Sequence, residues 1–170
     1  KNSIAFFNSN DIYPVSADST LPFEQHRDIF YLSGIDQEES ILVLCPDNPN
    51  PDLREILFLK ETNDHIAVWE GPKINKTQAL EISGIKTVFW LKDLEKLVDK
   101  LVSTCHNIYF NKNEHYRAKI ETETREARFN IWLEKKYPKK NKERSNPILQ
   151  RLRSIKDHKE ISLIQQACDI

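Results

Sequence analysis

The segment "KTVFWLKDLEKLVDKLVSTCHNIYFN" (residues 86–111) indicates the fold class of this chain. Its two ends, Lys86–Trp90 and Asn107–Asn111, are short runs rich in branched and aromatic residues, which is typical of buried strands. Between them, apolar residues recur at the spacing of one helix face: Leu94, Leu97, Val98, Leu101 and Val102. The order strand, helix, strand is that of a βαβ unit, which predicts at least one parallel pairing in the sheet.

Four more apolar runs predict strands on the N-terminal side of this unit: Ser3–Asn8, Ser40–Cys45, Glu55–Lys60 and His65–Trp69. The last two are separated by a short polar segment, residues 62–64, so they read as a hairpin. A hairpin together with a βαβ crossover indicates an α/β fold, with a mixed sheet of about six strands flanked by helices.

Three helices are predicted on the C-terminal side. One runs from about Arg117 to Lys136 and ends before Pro138. The next begins with Asn146 as its cap and Pro147 at the first helical position. The third begins at Asp157, where Glu160 completes a capping box.

Composition is that of a globular domain, with 39% hydrophobic and 30% charged residues in 170. The formal net charge of −1 provides no overall field for a nucleic-acid partner. A basic stretch, Lys135–Arg144, reads as a solvated helix end and linker. No apolar run reaches the length of about 18 residues that a membrane span requires. The three cysteines lack CxxC spacing and predict reduced thiols in a cytoplasmic protein.

Catalytic signatures are absent from the sequence. The five histidines show no HxH, HxxxH or HExxH spacing, so no zinc site is predicted. With only three glycines, the chain has no phosphate-binding glycine loop and no nucleophile elbow. We therefore expect neither catalytic nor metal-binding residues in this segment. It begins with Lys and contains no Met, so we also expect it to be part of a longer protein.

Three stretches remain distinctive after this survey. The first, "FEQHRDIFYLSGI" from Phe23, reads as a core strand that ends in a turn at Gly34, where glycine permits a positive φ. The second, "AVWEGPKI", places Trp69 directly before a turn, where it is either a half-buried core residue or a contact residue. The third, "LRSIKDHKEISLIQQA" from Leu152, opens the last helix and carries Arg153.

In this order and spacing, the three stretches resemble the N-terminal domain of aminopeptidase P, the Xaa-Pro aminopeptidase of the creatinase/prolidase family. The first block extends to "LPFEQHRDIFYLSGIDQEESILVL" from Leu21, and the third block starts at Leu152. The likeness therefore covers almost the whole chain. Two positions depart from the family pattern: Glu24 replaces a frequent Arg, and Pro72 stands where an Arg often follows the glycine. The role of those arginines is therefore in doubt here.

The resemblance implies an N-terminal domain over residues 1–150 and a hinge with a first helix over residues 151–170. These lead to a C-terminal metallopeptidase domain that holds two divalent metal ions, such as manganese, outside this segment. The parent would be a cytoplasmic hydrolase that removes the first residue from peptides with proline in second position. Trp69 and Arg153 match family positions near the substrate. The domain itself would be inactive and would serve homo-oligomer contacts and access of the peptide substrate to the active site.

Two alternatives remain open at this stage. The chain could be the N-terminal domain of a Xaa-Pro dipeptidase within the same family. It could also be a non-enzymatic relative that has lost its metals and binds peptides or histones. The discriminating feature is the set of Asp, His and Glu ligands expected after Ile170.

Overall fold

The computed structural model describes residues 2–115 and 123–169, apart from the side chains of Asp64 and Trp69. Within these residues, one sheet has six strands and a separate hairpin has two. In chain order the strands are β1 Ser3–Asn8, β2 Pro14–Ser16, β3 Ser19–Thr20, β4 Ile41–Leu44, β5 Glu55–Leu59, β6 Thr87–Trp90, β7 Asn107–Phe110 and β8 Asn141–Arg144. The described helices are α1 Arg27–Ser33, α2 Asp64–Glu70, α3 Lys76–Ser83, α4 Leu94–Thr104, α5 Arg125–Lys136, α6 Asn146–Ser154 and α7 His158–Cys168.

The large sheet is mixed, as the sequence predicts. Its strand order is β6-β5-β4-β1-β7-β8. The pairs β6–β5, β1–β7 and β7–β8 are parallel, whereas β4 is antiparallel to both of its neighbours. Five of the six described strands therefore share one direction, and their carboxyl ends meet along one edge of the sheet.

The segment that indicates the fold class, residues 86–111, does form a strand, a helix and a strand. Its strands β6 and β7 run in the same direction but are not neighbours, because β5, β4 and β1 lie between them. Helix α4 therefore crosses most of the sheet. Its predicted apolar face is confirmed, since Val98, Leu101 and Val102 are buried and Leu94 and Leu97 pack against the same core.

Helices cover both faces of the sheet. Alternate residues of the central strands point to opposite sides, so Phe6 joins one core cluster and Phe7 the other. Helices α4 and α5 contribute to the first cluster, while α1, α3 and α6 contribute to the second. Strand β4 reads ILVL without polar alternation because helices bury it on both sides.

Two predicted strands are helices in the structure. His65–Trp69 lies in α2, because Asn63 caps the helix by accepting from the backbone N–H of Ile66 at 3.0 Å. The residues read as a hairpin tip are therefore a helix start. The stretch around Phe30 forms α1, which ends where Gly34 adopts the predicted positive φ of 69° and donates to the Phe30 carbonyl. Only one face of α1 is buried, so Phe30 remains 50% exposed.

The basic stretch Lys135–Arg144 is not a linker. It contains the end of α5 and the edge strand β8, which replaces the wrongly predicted strand at His65–Trp69 as the sixth strand. Helix α5 begins at Arg125 with Thr124 as its cap, and the predicted helical residues 117–122 lie outside the described residues. The hairpin of β2 and β3 was not predicted.

The two C-terminal helices agree with the sequence apart from one cap. Helix α6 begins after Ser145 rather than after Asn146, so Pro147 is its second residue and not its first. Helix α7 has the complete capping box of Asp157 and Glu160.

Replacement of Leu101 tests the packing of α4. Leu101 is 2% exposed in the core, so Leu101→Ala should lower the free energy of unfolding by about 2–5 kcal/mol. Lys100→Ala, on the exposed side of the same turn, should change it by less than about 0.5 kcal/mol. Urea unfolding followed by circular dichroism measures both, and equal losses would contradict the placement of α4.

Candidate functional site

Asp28 joins three parts of the fold at the edge where the carboxyl ends of β1 and β7 lie. It sits in the first turn of α1. Its Oδ1 accepts from Nη1 of Arg153 at 3.0 Å, and its Oδ2 accepts from the side-chain amide of Asn111 at 2.9 Å. Arg153 belongs to α6 and Asn111 directly follows β7, so one carboxylate links two helices to the sheet.

Local sequence fixes the start of α1 and hence the position of Asp28. His26 is the N-cap, and its Nδ1 accepts from the backbone N–H of Asp28 at 3.3 Å. Gln25 holds the preceding turn, because its side-chain amide donates to the carbonyls of Ile35 and Gln37. Its Oε1 accepts from the His26 backbone N–H at 2.8 Å. The beginning of α1 is thus pinned to the turn that follows the same helix.

Helix α6 is held by its own first residues. The Ser145 hydroxyl donates to Oδ1 of Asn111 at 2.7 Å and lies 2.9 Å from the Phe110 carbonyl oxygen. Leu149, one turn later, is 5% exposed in the core. Arg153 follows by another turn, on the side of the helix that faces α1.

Arg153 is bound on one side and open on the other. Its guanidinium carbon lies 5.4 Å from the centre of the Tyr31 ring, which is within the range of a cation–π contact. The Arg153 side chain is nevertheless 40% exposed. Among the described residues, Asp28 is the acceptor for one N–H of Arg153, and the other N–H donors of Arg153 have no protein acceptor. A planar guanidinium held in this way can bind a carboxylate or a peptide carbonyl.

An open depression of about 820 Å³ lies in front of Arg153. Aromatic and acidic side chains share its lining with the arginine: Phe23, Phe30, Tyr31, Asp36, Asp157 and Glu160. Helices α1 and α7 therefore both border this depression. A mixture of aromatic surface and a few charged groups is typical of a peptide-binding surface.

Behind Asp28, the half-buried His26 contacts the buried Glu126. The Nε2 of His26 lies 3.3 Å from Oε2 of Glu126, and the Glu126 side chain is 7% exposed. Burial raises the pKa of Glu126 to about 7. Burial also lowers the pKa of His26, although the Asp28 carboxylate opposes this shift. Because Nδ1 of His26 accepts a backbone N–H, the neutral imidazole carries its hydrogen on Nε2, the nitrogen that lies nearer to Glu126.

Trp69 lies near the end of α2, and its side chain is outside the described residues. The backbone around it is anchored to the residues after α1. Lys60 bonds to Glu70 at 2.6 Å and to Glu39 at 3.1 Å. The Ile74 backbone N–H donates to the side chain of Gln37 at 2.6 Å. The segment that carries Trp69 is therefore fixed to the same loop that pins α1.

Two further properties of the described residues concern metals and membranes. They contain no cluster of three or more His, Cys, Asp or Glu side chains suited to hold a metal ion. None of the helices within ranges 2–115 and 123–169 has both the length and the hydrophobicity to cross a bilayer.

The sequence profile of the aminopeptidase P N-terminal domain matches residues 1–109. The chain belongs to this family. Human Xaa-Pro aminopeptidase 3 is 28% identical over 162 residues, which is 94% of this chain and 31% of the human protein. Intermediate cleaving peptidase 55 of Saccharomyces cerevisiae is 31% identical over 105 residues, or 60% of this chain and 20% of the yeast protein. The chain thus spans about a third or less of these relatives.

Solved structures agree with the family assignment. A Bacillus anthracis protein described as an aminopeptidase P superposes with a TM-score of 0.83 at 25% identity, covering 97% of this chain and 39% of that protein. The low-pH form of Escherichia coli aminopeptidase P gives a TM-score of 0.74 at 20% identity, covering 99% and 38%. At 20% identity, the comparison with the Escherichia coli protein shows a likeness of fold alone. Members of this domain family therefore share the mixed sheet and its covering helices.

The structure adds residues that sequence reasoning missed. Arg153 was singled out, but Asp28, which accepts from it, was not, and neither were Asn111, which also donates to Asp28, or the pair of His26 and Glu126. One signal was available in the sequence. The parallel strands β1 and β7 come from "AFFN" and "IYFN", which both end in Asn, and polar residues at the carboxyl ends of parallel strands often border a site.

Replacement of Glu126 tests the buried pair. In the folded state the Glu126 carboxyl group keeps its proton up to a pH of about 7, whereas in the unfolded chain it has a pKa near 4.5. This group therefore lowers the free energy of unfolding as pH rises from about 4.5 to about 7. Glu126→Gln removes the effect. The free energy of unfolding of Glu126→Gln, minus that of the original chain, should therefore increase by about 3 kcal/mol over this pH interval.

Urea unfolding at several pH values measures this difference. Glu134→Gln, which removes an exposed carboxylate from the same helix, is the matched control for the loss of one acidic side chain. A pH-independent difference for Glu126→Gln would contradict a carboxyl group that is neutral in the folded state.

Proposed function

We propose that this chain is the non-catalytic N-terminal domain of a Xaa-Pro aminopeptidase and that it forms one wall of the substrate cleft. The observation that carries the proposal is the guanidinium of Arg153, held by Asp28 and Tyr31 beside the open depression. A peptidase that acts on free N-termini must orient its peptide and exclude folded protein. A fixed arginine with free donors suits the first task, and a domain over the cleft suits the second.

The remaining parts of the proposal concern the parent protein. Residues 1–150 form the domain, and residues 151–170 form the hinge and first helix that lead to a C-terminal metallopeptidase domain. That domain would hold two divalent metal ions, manganese among the candidates, which activate the water that attacks the Xaa-Pro bond. We place the protein in the cytoplasm, as a homo-oligomer in which this domain contributes contacts between subunits.

The surface charges favour a peptide over a nucleic acid as ligand. In the basic stretch at the end of α5 and in β8, Lys136 bonds to Glu95 and Asp99, Lys142 pairs with Glu134, and Arg144 pairs with Glu114. Cations that are already paired contribute little to phosphate binding, which needs several convergent free charges. We therefore expect no nucleic-acid partner.

Arg153→Ala in the full-length parent tests the proposal. A lost charge-assisted hydrogen bond to substrate should lower kcat/KM for a Xaa-Pro tripeptide by roughly ten- to a hundredfold. Arg151→Ala, on the exposed side of the same helix, should leave kcat/KM within about twofold of the original and the denaturant midpoint unchanged. Arg153→Ala should lower the midpoint only modestly, because Asp28 keeps its bond from Asn111.

Two results would overturn this role of Arg153. One is unchanged kcat/KM for Arg153→Ala, and the other is a loss of kcat/KM that the unfolded fraction of the variant accounts for. In the same assay, with manganese present, the isolated 170-residue chain should release no amino acid. Turnover that survives repurification of the isolated chain would contradict a non-catalytic domain.

Trp69→Ala tests the second proposed contact. A core tryptophan truncated to alanine costs about 3–5 kcal/mol, whereas a tryptophan that contacts substrate costs the fold much less and the reaction more. We expect a stability change below about 1 kcal/mol and a clear loss in kcat/KM, partly restored by Trp69→Phe. Val68→Ala, which alters an exposed residue of α2, is the matched control. Collapse of the fold would identify Trp69 as a core residue instead.

A further inference from the structure

Two cysteines far apart in sequence meet in the core. Cys45 directly follows β4, and Cys105 is the C-cap of α4. Their Sγ atoms lie 3.5 Å apart although 60 residues separate them in sequence, and each residue is 2% exposed. Neither the family assignment nor the proposed function gives these thiols a task.

The backbone on each side of the contact is fixed by hydrogen bonds. The Cys45 N–H donates to the Arg54 carbonyl at 2.7 Å, and its own carbonyl accepts from Asn48 at 2.9 Å. The Cys105 N–H donates to the Val102 carbonyl at 3.1 Å, and its carbonyl accepts from Nζ of Lys140. A covalent S–S bond is about 2.05 Å long, so the two sulfurs need to approach by only about 1.5 Å.

The two thiols are chemically unequal. The contact between the two sulfurs lowers the pKa of Cys105 to about 7, and Lys140 favours the same anion. The same contact, together with burial, raises the pKa of Cys45. At neutral pH, Cys105 therefore supplies the thiolate, which is the reactive nucleophile, while Cys45 keeps its proton.

We propose that Cys45 and Cys105 are a reversible thiol–disulfide pair whose oxidant is a small hydroperoxide. In the first step the Cys105 thiolate sulfur attacks a peroxide oxygen, the O–O bond breaks, and a sulfenic acid forms as hydroxide leaves and takes up a proton. In the second step the Cys45 sulfur attacks the sulfenic sulfur, and water leaves with the Cys45 proton. The two thiols lose two electrons in total, and one hydrogen peroxide becomes two waters.

Burial selects the oxidant. Both thiols are 2% exposed, but Cys105 lies between the exposed residues Thr104 and His106. The pair is thus just beneath the surface, within reach of a molecule the size of hydrogen peroxide during small local openings. Cys168, which is exposed on α7, is the natural internal comparison.

Peptide mapping of the full-length parent protein tests the pair. The native protein is treated with hydrogen peroxide, unreacted thiols are blocked with N-ethylmaleimide during unfolding, and an unreduced digest is analysed by mass spectrometry. We expect one cross-linked species that contains Cys45 and Cys105, two hydrogens lighter than the sum of its peptides, and its loss on treatment with dithiothreitol. Because the bond closes a long loop, the oxidised protein should also unfold at a higher denaturant concentration.

Two variants give the comparison. Cys105→Ser should abolish the cross-linked species, and Cys168→Ser should leave it unchanged. If Cys105→Ser fails to fold, the map of the original protein still decides the matter. Peroxide treatment that oxidises Cys168 while Cys45 and Cys105 are both recovered with the blocking group would overturn the proposal. So would a disulfide that joins Cys45 to a different cysteine. The cross-linked peptide and the denaturant concentration for unfolding can both be measured without peptidase activity.

Discussion

Burial of the central strands on both faces is the constraint on which the rest of this domain depends. Strands β1 and β4 lie in the middle of the sheet, with apolar side chains pointing to both sides. An apolar face left in water would forfeit about 25 cal/mol for each Å² not buried. Each face therefore requires its own helices. Helices α4 and α5 serve one face, and α1, α3 and α6 serve the other.

The site follows from that arrangement. Helix α1 has Asp28 in its first turn, and the last turn of α6 brings Arg153 to the same carboxylate. Polar side chains there satisfy one another: Asn111 receives a bond from Ser145 and donates one to Asp28. The cost is a carboxyl group at Glu126 whose Oε1 has no hydrogen-bond partner within the described residues. Such a group is tolerated because its pKa is raised and its neutral form is easier to bury.

Sequence patterns predicted the elements whose apolar residues repeat over enough length. Helix α4 has five residues on one face, and β1, β4, β5, β6 and β7 are unbroken apolar runs. The errors fall on short segments. HIAVW and DIFYL are apolar enough for a strand, but capping by Asn63 and His26 makes them helices, and five residues contain too little periodicity to decide. Strand β8 reads NKER and has no apolar signal at all. Of the site, the family match supplied Arg153, whereas Asp28 and Glu126 depend on contacts between residues about 100 apart.

The composition of β8 governs what can join this sheet. It is an edge strand, and all four of its side chains are exposed. An unpaired strand edge normally offers its backbone to any other extended chain. Here Lys142 and Arg144 hold carboxylates of Glu134 and Glu114 close to that edge. A strand arriving from another molecule would have to dehydrate these ion pairs before its backbone could bond to β8. The sheet therefore ends at six strands among the described residues, and its charged border disfavours the strand-by-strand growth that leads from a folded domain to aggregates.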